Sequence, residues 1–213
     1  MPRLIDLSRV IEAGPGPVIC DYWSLAASAE NYEDGSTFQI GLIDIVASTG
    51  SYLDSLFHRH ADDADLAELD LARLAQCNTV VVRQPYVEGL AIDTVAFDRV
   101  ECCGRAVLVA TGWDLFWRIA AYFDDHSFLT EAAARHLAAA GAVLVGIDSR
   151  NIEDTRTRLR PVHTILLRAG IPICEHLTKL DALPTDGFRF GTVRPKIASL
   201  ETFPVRAFAT LPG

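Results

Sequence analysis

The densest group of polar side chains runs from Ser48 to His60, directly after an apolar segment. Within it Asp54 and His58 stand four residues apart, so a helical turn would bring them together. A carboxylate is a hard anionic ligand and an imidazole titrates near neutrality. The pair suits metal binding or proton transfer, and it equally suits a solvated pair on an exposed turn. His163 falls in the first turn of a helix expected to start at Pro161. There the positive end of the helix dipole disfavours imidazolium, leaving a neutral ring that can serve as ligand or base, or simply sit hydrogen-bonded and partly buried. Glu175 ends the apolar run Ile171 to Cys174, and strand alternation puts it on the side of Ile171 and Ile173. A carboxylate on a core-facing side needs a metal, an arginine or a proton, because burial without a partner costs several kcal/mol; at an exposed strand end it needs none. Trp113 and Trp117, four apart after another apolar run, share one face if helical, either packed in the core or walling an aromatic pocket.

Apolar runs rich in β-branched residues predict strands at 39–47, 79–83, 106–110, 142–147 and 171–174. Continuous rather than alternating runs fit strands buried on both faces by packed helices. Thr130 as N-cap, Glu131 in the first turn and Gly141 as the stop delimit one helix; Pro161 and Gly170 delimit a second. Each leads into an apolar strand, the rhythm of an α/β protein with a mixed or parallel sheet and flanking helices. The charge-dense segment 150–160 reads as an exposed loop. Residues 14–35 show no clear period and suit a binding-site loop or a subunit contact.

At 213 residues, half of them apolar, the chain is expected to fold as a single domain, 1–213, with a substantial core. A net charge of −9 argues against nucleic acid, which selects basic surfaces. No stretch approaches the ~20 apolar residues of a membrane span, so no membrane partner is expected and the location reads as cytoplasmic. Five cysteines without a CxxC pair argue against a zinc ribbon or a disulfide framework and read as reduced thiols. Dinucleotide, P-loop, serine-elbow and HExxH motifs are all missing, which removes the chemistries they support.

The order of segments resembles the cyclase family that includes bacterial kynurenine formamidase and isatin hydrolase. The resemblance covers almost the whole chain: LIDLS at Leu4 to Ser8, TGWD at Thr111 to Asp114, the run Leu129 to Ser149, His163 with GIPICEHL, and FPVRAFA at Phe203 to Ala209. That family carries HxGTHxDxPxH, which here reads Ser48, Gly50, Ser51, Tyr52, Asp54, Leu56 and His58, so both early histidine ligands are replaced. The resemblance implies a swivelling β/β/α domain assembled as a homodimer or homotetramer. It implies a zinc or manganese centre that activates water against a small cyclic or aromatic amide, lactam or ester. Asp54, His163 and Glu175 then remain as ligands for at most one divalent metal, with His58 and Tyr52 catalytic, and Ser48, Ser51, Ile19 and Trp113 against a small-molecule substrate. Two alternatives stand beside this reading. One is a binding protein that has lost the metal centre; the other is a metal-independent cyclase using Tyr52 and His58 as an acid/base pair.

Overall fold

The computed structural model describes residues 2–14 and 16–213; Met1 and Pro15, the latter inside the 14–35 segment, lie outside the described residues. Its strands are β1 (Arg3–Asp6), β2 (Val18–Trp23), β3 (Ile40–Asp44), β4 (Tyr52–Asp54), β5 (Cys77–Arg83), β6 (Ala91–Ile92), β7 (Ala106–Ala110), β8 (Phe128–Leu129), β9 (Leu144–Ile147), β10 (Ile173–Glu175), β11 (Arg189–Gly191), β12 (Thr202–Pro204) and β13 (Phe208–Leu211). The α-helices are α1 (Leu25–Ala29), α2 (Glu131–Ala139) and α3 (Pro161–Arg168).

Nine strands form one mixed sheet in the order β1-β13-β11-β5-β7-β9-β10-β4-β12. Its centre, β5-β7-β9-β10, is parallel, and both wings pair antiparallel. The parallel part is where helical crossovers belong, and α2 leads into β9 as α3 leads into β10. Thr130 caps α2 by accepting a hydrogen bond from the Ala133 amide at 3.1 Å, and Gly141 with φ +76° follows its end. The α/β class and both helices therefore follow the sequence pattern.

Strand alternation divides the core into two layers. Val82, Val107, Val109, Val145 and Ile173 pack against Ala134, Leu137, Leu166 and Leu167 of the helices. The opposite face, with Val81, Leu108, Leu144 and Cys174, meets no α-helix among the described residues; Leu7, Leu177, Leu180 of a 3₁₀ turn, Phe188, Phe190 and Ala209 cover it as the mixed sheet curls over. Helices on both faces, the simplest source of doubly buried strands, are thus replaced on one side by the sheet's own wing. Residues 39–47 also differ from expectation. Among the described residues their strand, β3, pairs only with β2 in a separate ribbon, and every residue of it is exposed.

At Gly146 two elements approach too closely for a side chain: a Cβ there would lie 2.7 Å from Leu108 Cδ2 and 2.8 Å from Leu177 Cδ1. Gly146→Ala should overpack the curled face and lower stability by ~1–3 kcal/mol, read as a fall in the urea midpoint at unchanged slope. An unshifted midpoint would show that Leu108 and Leu177 repack freely.

Candidate metal centre

The site lies at the end of the helix-facing layer, where polar residues take the place of apolar ones. Tyr52 and Asp54 alternate with Leu53 along β4, so both share one face while Leu53 enters the opposite layer. In the antiparallel register Tyr52 stands opposite Glu175 of β10 and Asp54 opposite Thr202 of β12. His163 is presented from the first turn of α3, which Pro161 starts. These residues line a cavity of about 260 Å³ together with Ser48, His58, Arg59, Asn151 and Arg160.

Three carboxylates are buried around one imidazole: Asp54 is 1% exposed, Glu153 1% and Glu175 0%. Glu153 Oε1 accepts from the His163 backbone amide at 2.7 Å and stands 3.2 Å from its Nδ1. Nδ1 therefore carries hydrogen, and Nε2 is turned to Asp54 Oδ2 at 3.7 Å and Glu175 Oε1 at 3.8 Å. Both gaps exceed a hydrogen bond and match the spacing of ligand atoms around an ion bound at ~2.0–2.2 Å. A lone pair facing two carboxylate oxygens is repulsive unless a cation lies between. Without a metal that cation is a proton: burial disfavours imidazolium at His163, but Asp54, Glu153 and Glu175 outweigh it and push its pKa up to about 10. Even then three acids share one positive charge. Burial raises Glu175 to about 7, although His163 and hydrogen bonds from Tyr52 and the Ile152 amide pull it back. The donor set, with two carboxylates and a tautomer-fixed imidazole, fits a divalent ion by charge and by ligand type.

Among the described residues, Asp54, His58 and His163 form a triad whose ligand atoms all lie within 4.8 Å of one another. Glu175, expected as the third ligand, stands beside His163 with one oxygen taken by the Tyr52 hydroxyl and the other by the Ile152 amide. His58, 37% exposed in its side chain, has Nδ1 3.7 Å from Asp54 Oδ1 and 3.2 Å from Thr202 Oγ1. Thr202 has one hydroxyl hydrogen and donates it to Asp54, so it accepts from His58 Nδ1, and in the neutral ring the acceptor nitrogen is then Nε2, at the mouth. Asp54 and His58 meet as their spacing suggests, but through a strand end and the 3₁₀ turn Leu56–His58 rather than one α-helical turn.

Tyr52 is held neutral: burial, then the neighbouring charges of Glu175 and Asp54, push its phenol well above the usual range. Its hydroxyl is committed to Glu175 and His58 to Thr202, so the two are not hydrogen-bonded to each other. Ser48 lies at the cavity rim, whereas Ser51, Ile19 and Trp113 are not among the lining residues. Ser51 is a buried tie that accepts from the Arg9 amide and donates to the His176 carbonyl. Ile19 sits on the exposed ribbon, and Trp113 packs edge-on to Tyr86 with its Nε1 donating to the Tyr122 carbonyl at 3.3 Å. Trp117 instead meets Tyr122 and His176, so the two tryptophans do not share a helical face.

Sequence reasoning missed Glu153, Thr202, Arg59, Asn151 and Arg160. Residues 150–160 are not uniformly exposed, for Ile152 and Glu153 are buried while Arg156 to Leu159 face solvent. The one available signal was an isolated isoleucine in a charged run, followed by an acid whose amide the Asn151 side chain caps.

The chain is similar to several known proteins. The family model described as putative cyclase matches residues 5–154. Kynurenine formamidase of Delftia acidovorans is 27% identical over 213 residues, covering 96% of each chain. That of Paracidovorax citrulli is 28% identical over 176 residues, covering 77% of this chain and 76% of the other. Among solved structures, an isatin hydrolase bound to the product analogue thioisatinate superposes with a TM-score of 0.84 at 18% identity, covering 100% of this chain and 93% of that one. Isatin hydrolase A from Labrenzia aggregata gives 0.81 at 18% identity, covering 99% and 94%.

Behind the site His176 donates from Nε2 to the Arg150 carbonyl at 2.7 Å, and burial pulls its pKa down to about 4 from 6.5. Between those values the unfolded chain binds a proton that the folded chain refuses. Its contribution is present above pH 6.5 and lost as pH falls towards 4. In chelator-treated protein, urea stability should therefore climb across this window, and His176→Gln should flatten the climb; an identical slope in the variant would contradict the assignment.

Proposed function

The chain belongs to the cyclase family, and on that premise we propose that it is a metal-assisted hydrolase of a small amide, lactam or ester. One observation carries the reading: His163, its Nδ1 fixed by Glu153, turns Nε2 towards two buried carboxylates that lack a balancing charge. Asp54 and His163 would hold one zinc or manganese ion, with Glu175 completing the set. Such an ion supplies polarisation of the scissile carbonyl and acidification of water.

The chain's own residues then divide the remaining work. Placed at the mouth with Nε2 free, His58 takes the proton of the attacking water and returns it to the departing nitrogen or oxygen. Tyr52, a neutral donor, holds Glu175 in one orientation. Arg59 and Arg160 set positive charge at the rim above an acidic floor, which favours a substrate with an anionic group distal to the reacting carbonyl. A ring of anthranilate size fits the cavity of about 260 Å³.

A second reading, a binding protein without metal, rests on the same pocket. A proton on His163 and the Tyr52 donor could neutralise the cluster without an ion.

The readings separate in one experiment on protein purified without chelator. The hydrolase should turn over N-formylkynurenine or a member of a lactam and lactone panel, lose turnover on chelation and regain it with zinc or manganese. Glu153→Gln should weaken metal affinity by about 10–100-fold at unchanged circular dichroism. Turnover indifferent to chelator would contradict the metal assignment, and absence of both turnover and metal binding would leave the second reading.

A further inference from the structure

A second cavity, of about 630 Å³, lies at the other end of the parallel strands. β5 and β7 begin beside it, whereas Glu175 of the metal centre ends β10, which runs in the same direction. Strand pairing builds its wall. Arg189 of β11 stands opposite Asn78 of β5 in the antiparallel register. Arg105, directly before β7, stands beside Asn78 on the other side, because Thr79 pairs with Ala106 in the parallel register. Guanidinium, amide and guanidinium thus follow one another across three neighbouring strand positions, the two arginine backbones on the order of 10 Å apart. Glu101 and Asp186 reach the same cavity from the connections that lead into β7 and β11.

The fold leaves all four charges unspent. Among the described residues, Arg105, Arg189, Glu101 and Asp186 take part in no ion pair, with one another or with any other group. Arg189 donates only a long hydrogen bond of 3.5 Å to the Gln76 carbonyl, and Glu101 accepts from the Cys103 amide at 3.1 Å. The cavity is also open at its rim, where Gly104 and Gly187 turn the chain: a Cβ at either would meet nothing within 4 Å. The turn closed by the Arg105 amide on the Cys102 carbonyl, at 3.1 Å, keeps Glu101 and Arg105 on either side of one turn. Opposite charges therefore stand near each other in this space without neutralising each other.

That charge pattern selects a ligand. A dicarboxylate would bring its second charge against Glu101 and Asp186, and a diamine would meet the arginines. A molecule with one charge of each sign finds a partner for both. Its carboxylate can take two parallel hydrogen bonds from a guanidinium, with the Asn78 amide as a further donor, and its ammonium can donate to the two acids. We propose that this cavity binds a free amino acid in its zwitterionic form. The site is separate from the catalytic cavity, and it does not depend on which reaction that cavity performs.

Titration calorimetry of the full chain with the common amino acids, one at a time, should find at least one that binds. Its N-acetyl derivative lacks the ammonium and its methyl ester lacks the carboxylate, so each should bind more weakly by about tenfold or more. Arg105→Gln with Arg189→Gln should abolish the binding heat and leave circular dichroism and any catalytic turnover unchanged, since neither arginine lines the catalytic cavity. Glu101→Gln with Asp186→Asn, at exposed positions, should weaken binding as well and decides the matter if the arginine variant fails to fold. Absence of binding by every amino acid would overturn the proposal, as would equal affinity for either derivative. Binding that survives the substitutions would place the ligand elsewhere and overturn the site.

Discussion

The hydrogen bond from His163 Nδ1 to Glu153 Oε1 is the contact on which the site depends. It fixes the tautomer, and through the same carboxylate it holds the first turn of α3 by its His163 amide. With Nδ1 spoken for, Nε2 has one direction to face, and that direction contains Asp54 and Glu175. A charge deficit is thereby built into a dry pocket. The deficit draws a cation, and which cation arrives decides between a hydrolytic centre and a neutralised remnant.

The fold supplies this contact cheaply because its parts are by-products of regular structure. Period-2 alternation on β4 places Tyr52 and Asp54 together, antiparallel pairing places Glu175 and Thr202 beside them, and a proline-started helix delivers His163. Tyr52 fits within the same geometry. A phenol kept neutral by burial donates to Glu175, so an acid that would otherwise be free for an ion is partly engaged. Thr202 does similar work for Asp54 while orienting His58.

Much of this was legible in the sequence where local rules govern. Capping at Thr130, the Pro161 start and the β-branched runs gave both helices and the central strands, and the position of Glu175 on the core side followed from alternation. Long-range pairing was not legible. Thr202 reaches Asp54 across 148 residues, and nothing in its own neighbourhood announces that. Glu153 was hidden for a different reason, since a charged loop suggests solvent and the burial of one isoleucine and one acid within it is a tertiary effect. The ribbon at 39–47 shows a third limit: apolar alternation signals a strand but not what covers it, and here the chain itself does not.

Anomalous diffraction from crystals grown without chelator, recorded above and below the zinc and manganese edges, tests the central claim most directly. The account predicts one peak between His163 Nε2 and Asp54, at coordination distance from both. Density with no peak there, after soaking with either ion, would contradict it.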